Sequence, residues 1–170
     1  YYHTSGDRPE ICDPTQLHRA IVLAAVSAYT IAEADEEGAA KIASEVASNA
    51  TKRMAIKVRH DLSLLNDATS DSLSGLYRSA KFNQDAMLNN ELATLATVLE
   101  LAPASVALKE LVTSLQNGVK AVWMTNGKSI DAAMKLKASS LGVAPIKIVL
   151  SVEEKSASKV YDFYCDILKN

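Results

Sequence analysis

Apolar residues recur at helical spacing along most of this chain. Across residues 14–66 they return every three or four positions, as one face of an α-helix requires. Asp13 and Pro14 form a helix start signal, because aspartate favours the N-cap and proline favours the first helical position. The pattern therefore predicts a first helix over residues 14–66, about 80 Å long at ~1.5 Å per residue.

Further helices are predicted between polar breaks. Residues 66–71 are polar, and the next apolar stripe predicts a second helix over residues 73–101. Pro103 then favours a restart, and the third helix is predicted to stop at residues 125–127. A last helical region begins near Ser129, breaks at residues 141–145 and resumes as far as Ile167. Residues 146–152 are rich in β-branched side chains and are the one segment where a short strand is plausible.

These elements predict an all-α fold, an elongated antiparallel helical bundle with two long helices and a shorter helical pair. The composition agrees, since 48% of the 170 residues are hydrophobic, only 5% are aromatic and 26 are alanine. Such an interior suits closely packed helices. We expect residues 1–11 to form a loose N-terminal arm and residues 12–170 to form a single elongated domain.

The two cysteines of the chain lie near its opposite ends, at Cys12 and Cys165. Successive predicted helices run in opposite directions along the bundle, and their lengths in the two directions nearly cancel. Cys165 is therefore predicted to lie at the same end of the bundle as Cys12. We therefore predict a disulfide between them, worth on the order of 5 kcal/mol for so long a loop. A disulfide indicates an oxidising, extracellular compartment. The alternative is two free thiols in a cytosolic protein.

Asn49 begins the triplet Asn-Ala-Thr, the acceptor pattern for N-glycosylation and the one such triplet in the chain. We predict Asn49 as a glycosylation site. One triplet in a chain of this length also arises by chance, so the alternative is an unmodified asparagine.

Charged residues cluster on the predicted first helix. The basic cluster consists of Lys52, Arg53, Lys57, Arg59 and His60. The acidic cluster precedes it and consists of Glu33, Asp35, Glu36 and Glu37. These clusters are either docking patches or, as we prefer, solvated helix surface. The surface interpretation includes ion pairs four residues apart, such as Glu37 with Lys41 and Asp131 with Lys135.

No arrangement of residues predicts catalysis. Gly127 to Ser129 matches the end of a phosphate-binding loop, but Val122 stands where its first glycine is required. The adjacent His60 and Asp61 point apart on a helix, so they are not predicted to act together. Trp123 either forms the floor of a ligand pocket or, as is commoner at a helix end, packs in the core. We expect no enzymatic activity, cofactor or metal site.

Charge and hydropathy limit the partners. A net charge of −2 argues against nucleic-acid binding, which normally needs a basic excess. The longest apolar stretch, residues 20–32, is shorter than the roughly 18 residues that cross a bilayer, so we predict a buried helix segment there. Residues 1–10 have neither an initiator methionine nor a signal-peptide core, and we interpret them as the start of a trimmed mature chain.

Taken together, the long alanine-rich helices, the pair Cys12 and Cys165, the triplet at Asn49 and the lack of catalytic motifs resemble African trypanosome surface glycoproteins. They resemble in particular the glutamic acid/alanine-rich protein family of insect-stage Trypanosoma congolense. The resemblance covers residues 12–170 and is one of architecture and composition. It implies a non-enzymatic coat glycoprotein on the outer face of the plasma membrane. A glycosylphosphatidylinositol anchor beyond Asn170 and neighbouring coat molecules as partners are also implied.

Two alternative functions follow from similar shapes. A trypanosome receptor of the haptoglobin–haemoglobin type would bind a host protein, and we expect it to expose an apolar patch in the upper half of the bundle. An intracellular helical adaptor would bind partner helices in its grooves. A Cys12–Cys165 disulfide argues against the adaptor.

Overall fold

The computed structural model describes Arg8, Glu10 and residues 12–160, and for residues 157–160 it describes the backbone alone. The helices are α1 (Pro14–Ala32), α2 (Glu36–Asn66), α3 (Leu73–Thr97), α4 (Val106–Ser140) and α5 (Val152–Val160), with a 3₁₀ turn over Val98–Glu100. No strand occurs in the described part of the chain, and residues 146–151 are irregular. The prediction of an all-α helical bundle is confirmed.

Three long helices form the bundle, and each of α2, α3 and α4 packs against the other two. The start of α2 packs with the end of α3 and the start of α4, and the end of α2 packs with the start of α3 and the end of α4, so neighbouring helices in sequence run antiparallel. Helices α2 and α4 are the longest, at about 46 and 52 Å for ~1.5 Å per residue. Helix α5 lies against α3.

The predicted first helix is divided in two, so its prediction as one helix was wrong. Helix α1 ends at Ala32 and α2 begins at Glu36, and we call residues 33–35 the elbow. The Asp35 carboxylate accepts a hydrogen bond of 2.8 Å from the Gly38 backbone N–H. This N-cap satisfies a backbone donor that would otherwise be unpaired and so stabilises a new helix start.

Helix α1 stands apart from the bundle. It has no buried residue, and it packs against none of the other described helices. The prediction that residues 20–32 form a buried segment was therefore wrong for this single chain. Periodicity identified the helix correctly but could not tell what the helix packs against.

Helix α4 continues through residues 125–127, where the third helix was predicted to end. The Thr125 hydroxyl donates to the Ala121 carbonyl at 3.0 Å, so this side chain bonds within the helix. Beyond Gly127, Ile130 and Met134 are buried. Burial of such side chains outweighs the cost of a helical glycine, about 1 kcal/mol. The predicted stop was wrong because tertiary packing overrides a weak local signal.

The end of α4 follows the sequence signal at residues 141–145. Gly142 has a φ of +68°, a left-handed conformation that glycine adopts without strain. The Val143 N–H donates to the Ala138 carbonyl at 3.0 Å, and the Gly142 N–H donates to the Ser139 carbonyl at 3.2 Å. These two bonds are those of a Schellman cap, which ends the helix and turns the chain back.

The core consists of two apolar clusters along the bundle. The first contains Ala39, Ala43, Ala47, Ala50, Met54, Met87, Leu95, Val98, Leu108, Val112 and Val119. The second contains Leu65, Ala68, Leu73, Tyr77, Ala80, Ile130, Met134 and Ala138. The alanines of α2 leave room for the larger side chains of α3 and α4, which explains how an aromatic-poor chain packs its interior.

Candidate functional site

Three polar side chains, one from each long helix, lie between the two apolar clusters. Asp61 falls between Met54 and Leu65 on α2, Gln84 falls between Ala80 and Met87 on α3, and Asn126 falls between Val119 and Ile130 on α4. We call Asp61, Gln84 and Asn126 the polar layer. Asp61 and Gln84 are 3% and 2% exposed. Glu91, which is 1% exposed, is a further buried polar residue on α3.

The polar layer is incompletely hydrogen-bonded. One Asp61 oxygen accepts a hydrogen bond from the Lys57 ammonium at 2.5 Å. The other Asp61 oxygen, both side-chain polar atoms of Gln84 and the Asn126 Nδ2 have no partner among the described residues. Burial raises the pKa of the Asp61 carboxyl, although Lys57 acts in the opposite direction. Each buried polar atom that has no hydrogen-bond partner lowers the stability of a fold by about 1–3 kcal/mol.

A buried ion pair joins α2 to α3. Arg53 Nε and Nη2 donate to the two Glu91 oxygens at 2.8 and 2.6 Å, and the Glu91 side chain is 1% exposed. Arg53 and Lys57 belong to the predicted basic cluster, and both are engaged in the bundle. The interpretation of this cluster as solvated surface was therefore wrong for Arg53 and Lys57, whose side chains are 31% and 16% exposed. It holds for Lys52, Arg59 and His60, which are exposed.

The predicted pairs four residues apart have different outcomes. Glu37 and Lys41 form an exposed ion pair of 2.6 Å, as predicted. Asp131 instead accepts from the Tyr77 hydroxyl at 2.8 Å and from the Lys81 ammonium at 3.2 Å. Contacts across helices thus replace the local pair that was predicted for Asp131.

Asn49 lies inside α2 rather than on a loop. Its side chain is exposed, and its Nδ2 donates to the Glu45 carbonyl at 3.0 Å. Asn49 also borders a groove of about 520 Å³ between α2 and α3. The groove is lined by Lys41, Ile42, Glu45, Val46, Asn49, Arg53 and Thr94. A glycan on Asn49 would be attached at the edge of this groove.

Cys12 is exposed and directly precedes Asp13, the N-cap of α1. The Asp13 carboxylate accepts from the Thr15 N–H at 2.8 Å, which fixes the start of the helix beside the thiol. Cys165 lies outside the described residues. The disulfide between Cys12 and Cys165 therefore stays a prediction.

Trp123 and His60 are the remaining sequence candidates for a ligand pocket and for catalysis. Trp123 is half-buried and packs against the first apolar cluster, in agreement with the core interpretation. His60 Nδ1 lies 3.9 Å from the Asp61 carboxylate, which is beyond hydrogen-bond distance. Within residues 12–160, no three side chains of His, Cys, Asp or Glu come together as a metal site.

Sequence reasoning missed the buried polar residues, although the sequence carried a signal for two of them. Gln84 and Glu91 occupy the same helical stripe as Tyr77, Ala80 and Leu95. A polar residue within an apolar stripe indicates a buried polar group that needs a partner. The partner itself could not be read from the stripe, because Arg53 is 38 positions away from Glu91.

Comparison with known proteins gives no match. No protein-family model matches the chain, and neither a curated protein nor a solved structure does. Among the described helices, none contains a stretch long and apolar enough to span a bilayer. A functional proposal must therefore start from the shape and surface of the molecule.

Replacing Tyr77 with phenylalanine is expected to lower the free energy of unfolding by about 1.5 kcal/mol near neutral pH, because Asp131 loses a hydrogen bond from a buried hydroxyl. Burial, and then the Asp131 carboxylate, raise the pKa of Tyr77 to about 12. Protonated Tyr77 therefore stabilises the fold fully below about pH 10, and this contribution disappears as the pH rises towards 12. Denaturant unfolding of both proteins across this range, with ultraviolet titration of tyrosinate, measures the effect. A difference that stays constant up to pH 12 would contradict it.

Proposed function

We propose that this protein is a non-enzymatic coat glycoprotein, held by a lipid anchor on the outer face of the plasma membrane of an insect-stage trypanosome. The observation that carries the proposal is the slender bundle of α2, α3 and α4, which runs about 50 Å along its axis at ~1.5 Å per residue. A narrow bundle occupies little membrane area for its height. Many copies can therefore stand side by side as a protective layer.

The described helices support an extended shape. Helix α1 has no buried residue and packs against none of the other described helices, so it lies outside the bundle of α2, α3 and α4. The small net charge of −2 leaves little repulsion between neighbouring copies.

Surface labelling of intact parasites tests the location. The full-length protein is expected to react with a membrane-impermeant label and to be released by a phospholipase that cleaves lipid anchors. Non-reducing mass spectrometry is expected to find the Cys12 and Cys165 peptides joined. Protein that is found only inside the cell, with both thiols free, would instead support the adaptor.

Glycosylation of Asn49 is tested with a matched pair of variants. Thr51→Ala removes the acceptor triplet and is expected to abolish the mobility shift that glycosidase treatment causes. Thr51→Ser keeps the triplet and is expected to retain the shift. A wild-type protein that glycosidase does not change would refute this part of the proposal.

The exposed apolar surface of α1 favours a second candidate, a receptor for a host protein. Seven large hydrophobic side chains of this helix are between 44% and 69% exposed. An apolar surface of this kind on a soluble bundle is typical of a binding site. Titration of the protein with the haptoglobin–haemoglobin complex tests this candidate, and binding that Leu23→Gln abolishes would support it over the coat.

A further inference from the structure

Helix α1 carries an apolar surface that nothing in the described chain covers. Its exposed large hydrophobic side chains are Leu17, Ile21, Val22, Leu23, Val26, Tyr29 and Ile31. No charged residue occurs between Ala20 and Ala32. A helix that is apolar on all sides is normally buried in a folded protein. This surface therefore calls for a partner.

Hydrogen bonds at the elbow end α1 and begin α2, and α1 packs against none of the other described helices. The Glu33 N–H donates to the Tyr29 carbonyl at 2.9 Å, and the Ala34 N–H donates to the Ile31 carbonyl at 3.3 Å. On the other side of the elbow, the Asp35 carboxylate caps α2 through Gly38. A second molecule can cover α1 with the elbow unchanged.

One face of α1 is suited to pairing with itself. Arg19, Val22, Val26, Tyr29 and Glu33 follow one another at spacings of three, four, three and four residues. This is the spacing of a helix-pairing seam, and we call these five residues the α1 seam. The seam has three apolar residues in its middle, a positive charge at one end and a negative charge at the other.

We propose that two copies of this chain form a two-fold dimer through antiparallel pairing of their α1 seams. An axis near Val26 places Arg19 of each copy at the level of Glu33 of the other. The charges at both ends are then complementary, as an interface between identical surfaces requires. Arg19 and Glu33 are both exposed, and neither forms an ion pair with another described residue.

The area of the seam indicates a weak dimer. From their exposed fractions of 44–69%, the seam residues Val22, Val26 and Tyr29, with Leu23 beside the seam, offer roughly 400–500 Å² per copy, less than the ~800 Å² of a stable interface. The pairing is thus expected to depend on protein concentration in the micromolar range or above. A parallel arrangement would instead place two Arg19 side chains together and two Glu33 side chains together, which is unfavourable.

Sedimentation velocity of the full chain across a concentration series tests the proposal. Non-reducing electrophoresis of the same samples checks that no disulfide at Cys12 joins the copies. The wild type is expected to shift from monomer to dimer. Val26→Arg is expected to weaken the dimer at least tenfold, because it places like charges at the centre of the seam. Ile21→Arg is the matched control, since Ile21 and Val26 are both 58% exposed but lie about 140° apart around α1, at ~100° per residue. The control is expected to keep the wild-type dissociation constant.

Charge reversal tests the antiparallel direction. Arg19→Glu and Glu33→Arg are each expected to weaken the dimer several-fold, and the double reversal is expected to restore it. A wild type that stays monomeric, or an Ile21→Arg variant that dissociates as fully as Val26→Arg, would overturn the proposal. A monomer whose α1 amides exchange slowly would also overturn it, because the same chain would then cover the helix.

Discussion

Replacing Arg53 with methionine is expected to lower the free energy of unfolding by about 3–5 kcal/mol, because it leaves the buried Glu91 carboxylate without its charged partner. The guanidinium makes two hydrogen bonds to Glu91, of 2.8 and 2.6 Å, and the Glu91 side chain is 1% exposed. Denaturant unfolding at neutral pH, followed by circular dichroism, measures the change.

Two further proteins separate the ion pair from other effects of the substitution. The double variant Arg53→Met/Glu91→Leu is expected to recover most of the loss, since both charges are removed together. Arg59→Met, at an exposed position on the same helix, is expected to change stability by less than about 0.5 kcal/mol. A loss equal to that of Arg59→Met would show that the pair contributes little.

Replacing Gln84 with methionine is expected to raise the free energy of unfolding by about 1–2 kcal/mol, because it removes a buried amide and keeps a side chain of similar size. Gln84 is 2% exposed, and neither of its side-chain polar atoms is paired with a described residue. The methionine would join the two apolar clusters across the polar layer. The same unfolding experiment measures the gain.

Gln116 supplies the matched control. Its Nε2 donates to the Leu92 carbonyl at 3.2 Å, so Gln116→Met breaks an existing hydrogen bond on the facing helix. This control is expected to lose about 1 kcal/mol, opposite in sign to the change at Gln84. A destabilised Gln84→Met variant would mean that the polar layer supports the bundle rather than weakening it.

The local signals of the sequence differed in how well they predicted the structure. The start of α1 at Asp13 and Pro14 and the end of α4 at Gly142 are stereochemical signals, and both agree with the structure. Gly127 was misread as part of a helix end, because buried neighbours on both sides keep α4 intact. Asp35 was read only as a surface charge, although it caps the start of α2.

For the candidate sites, too, the sequence identified single residues but not their surroundings in the fold. Asn49 and Cys12 are exposed, as a glycosylation site and an accessible thiol require, but exposure was not predictable from their triplet or spacing. The Arg53–Glu91 pair and the polar layer join residues from different helices. Helical spacing gives the face on which each residue lies and leaves its partner on another helix undetermined.

The sequence by itself determined that this chain is helical and where several of its helices begin and end, because caps, proline, glycine and apolar spacing act over a few residues. Only the tertiary structure decided that α2, α3 and α4 form the bundle while α1 stays outside it. That choice depends on which apolar faces bury each other, and these faces belong to residues that are far apart in the sequence. It also depends on the break at the elbow, which a linear pattern of apolar positions does not contain.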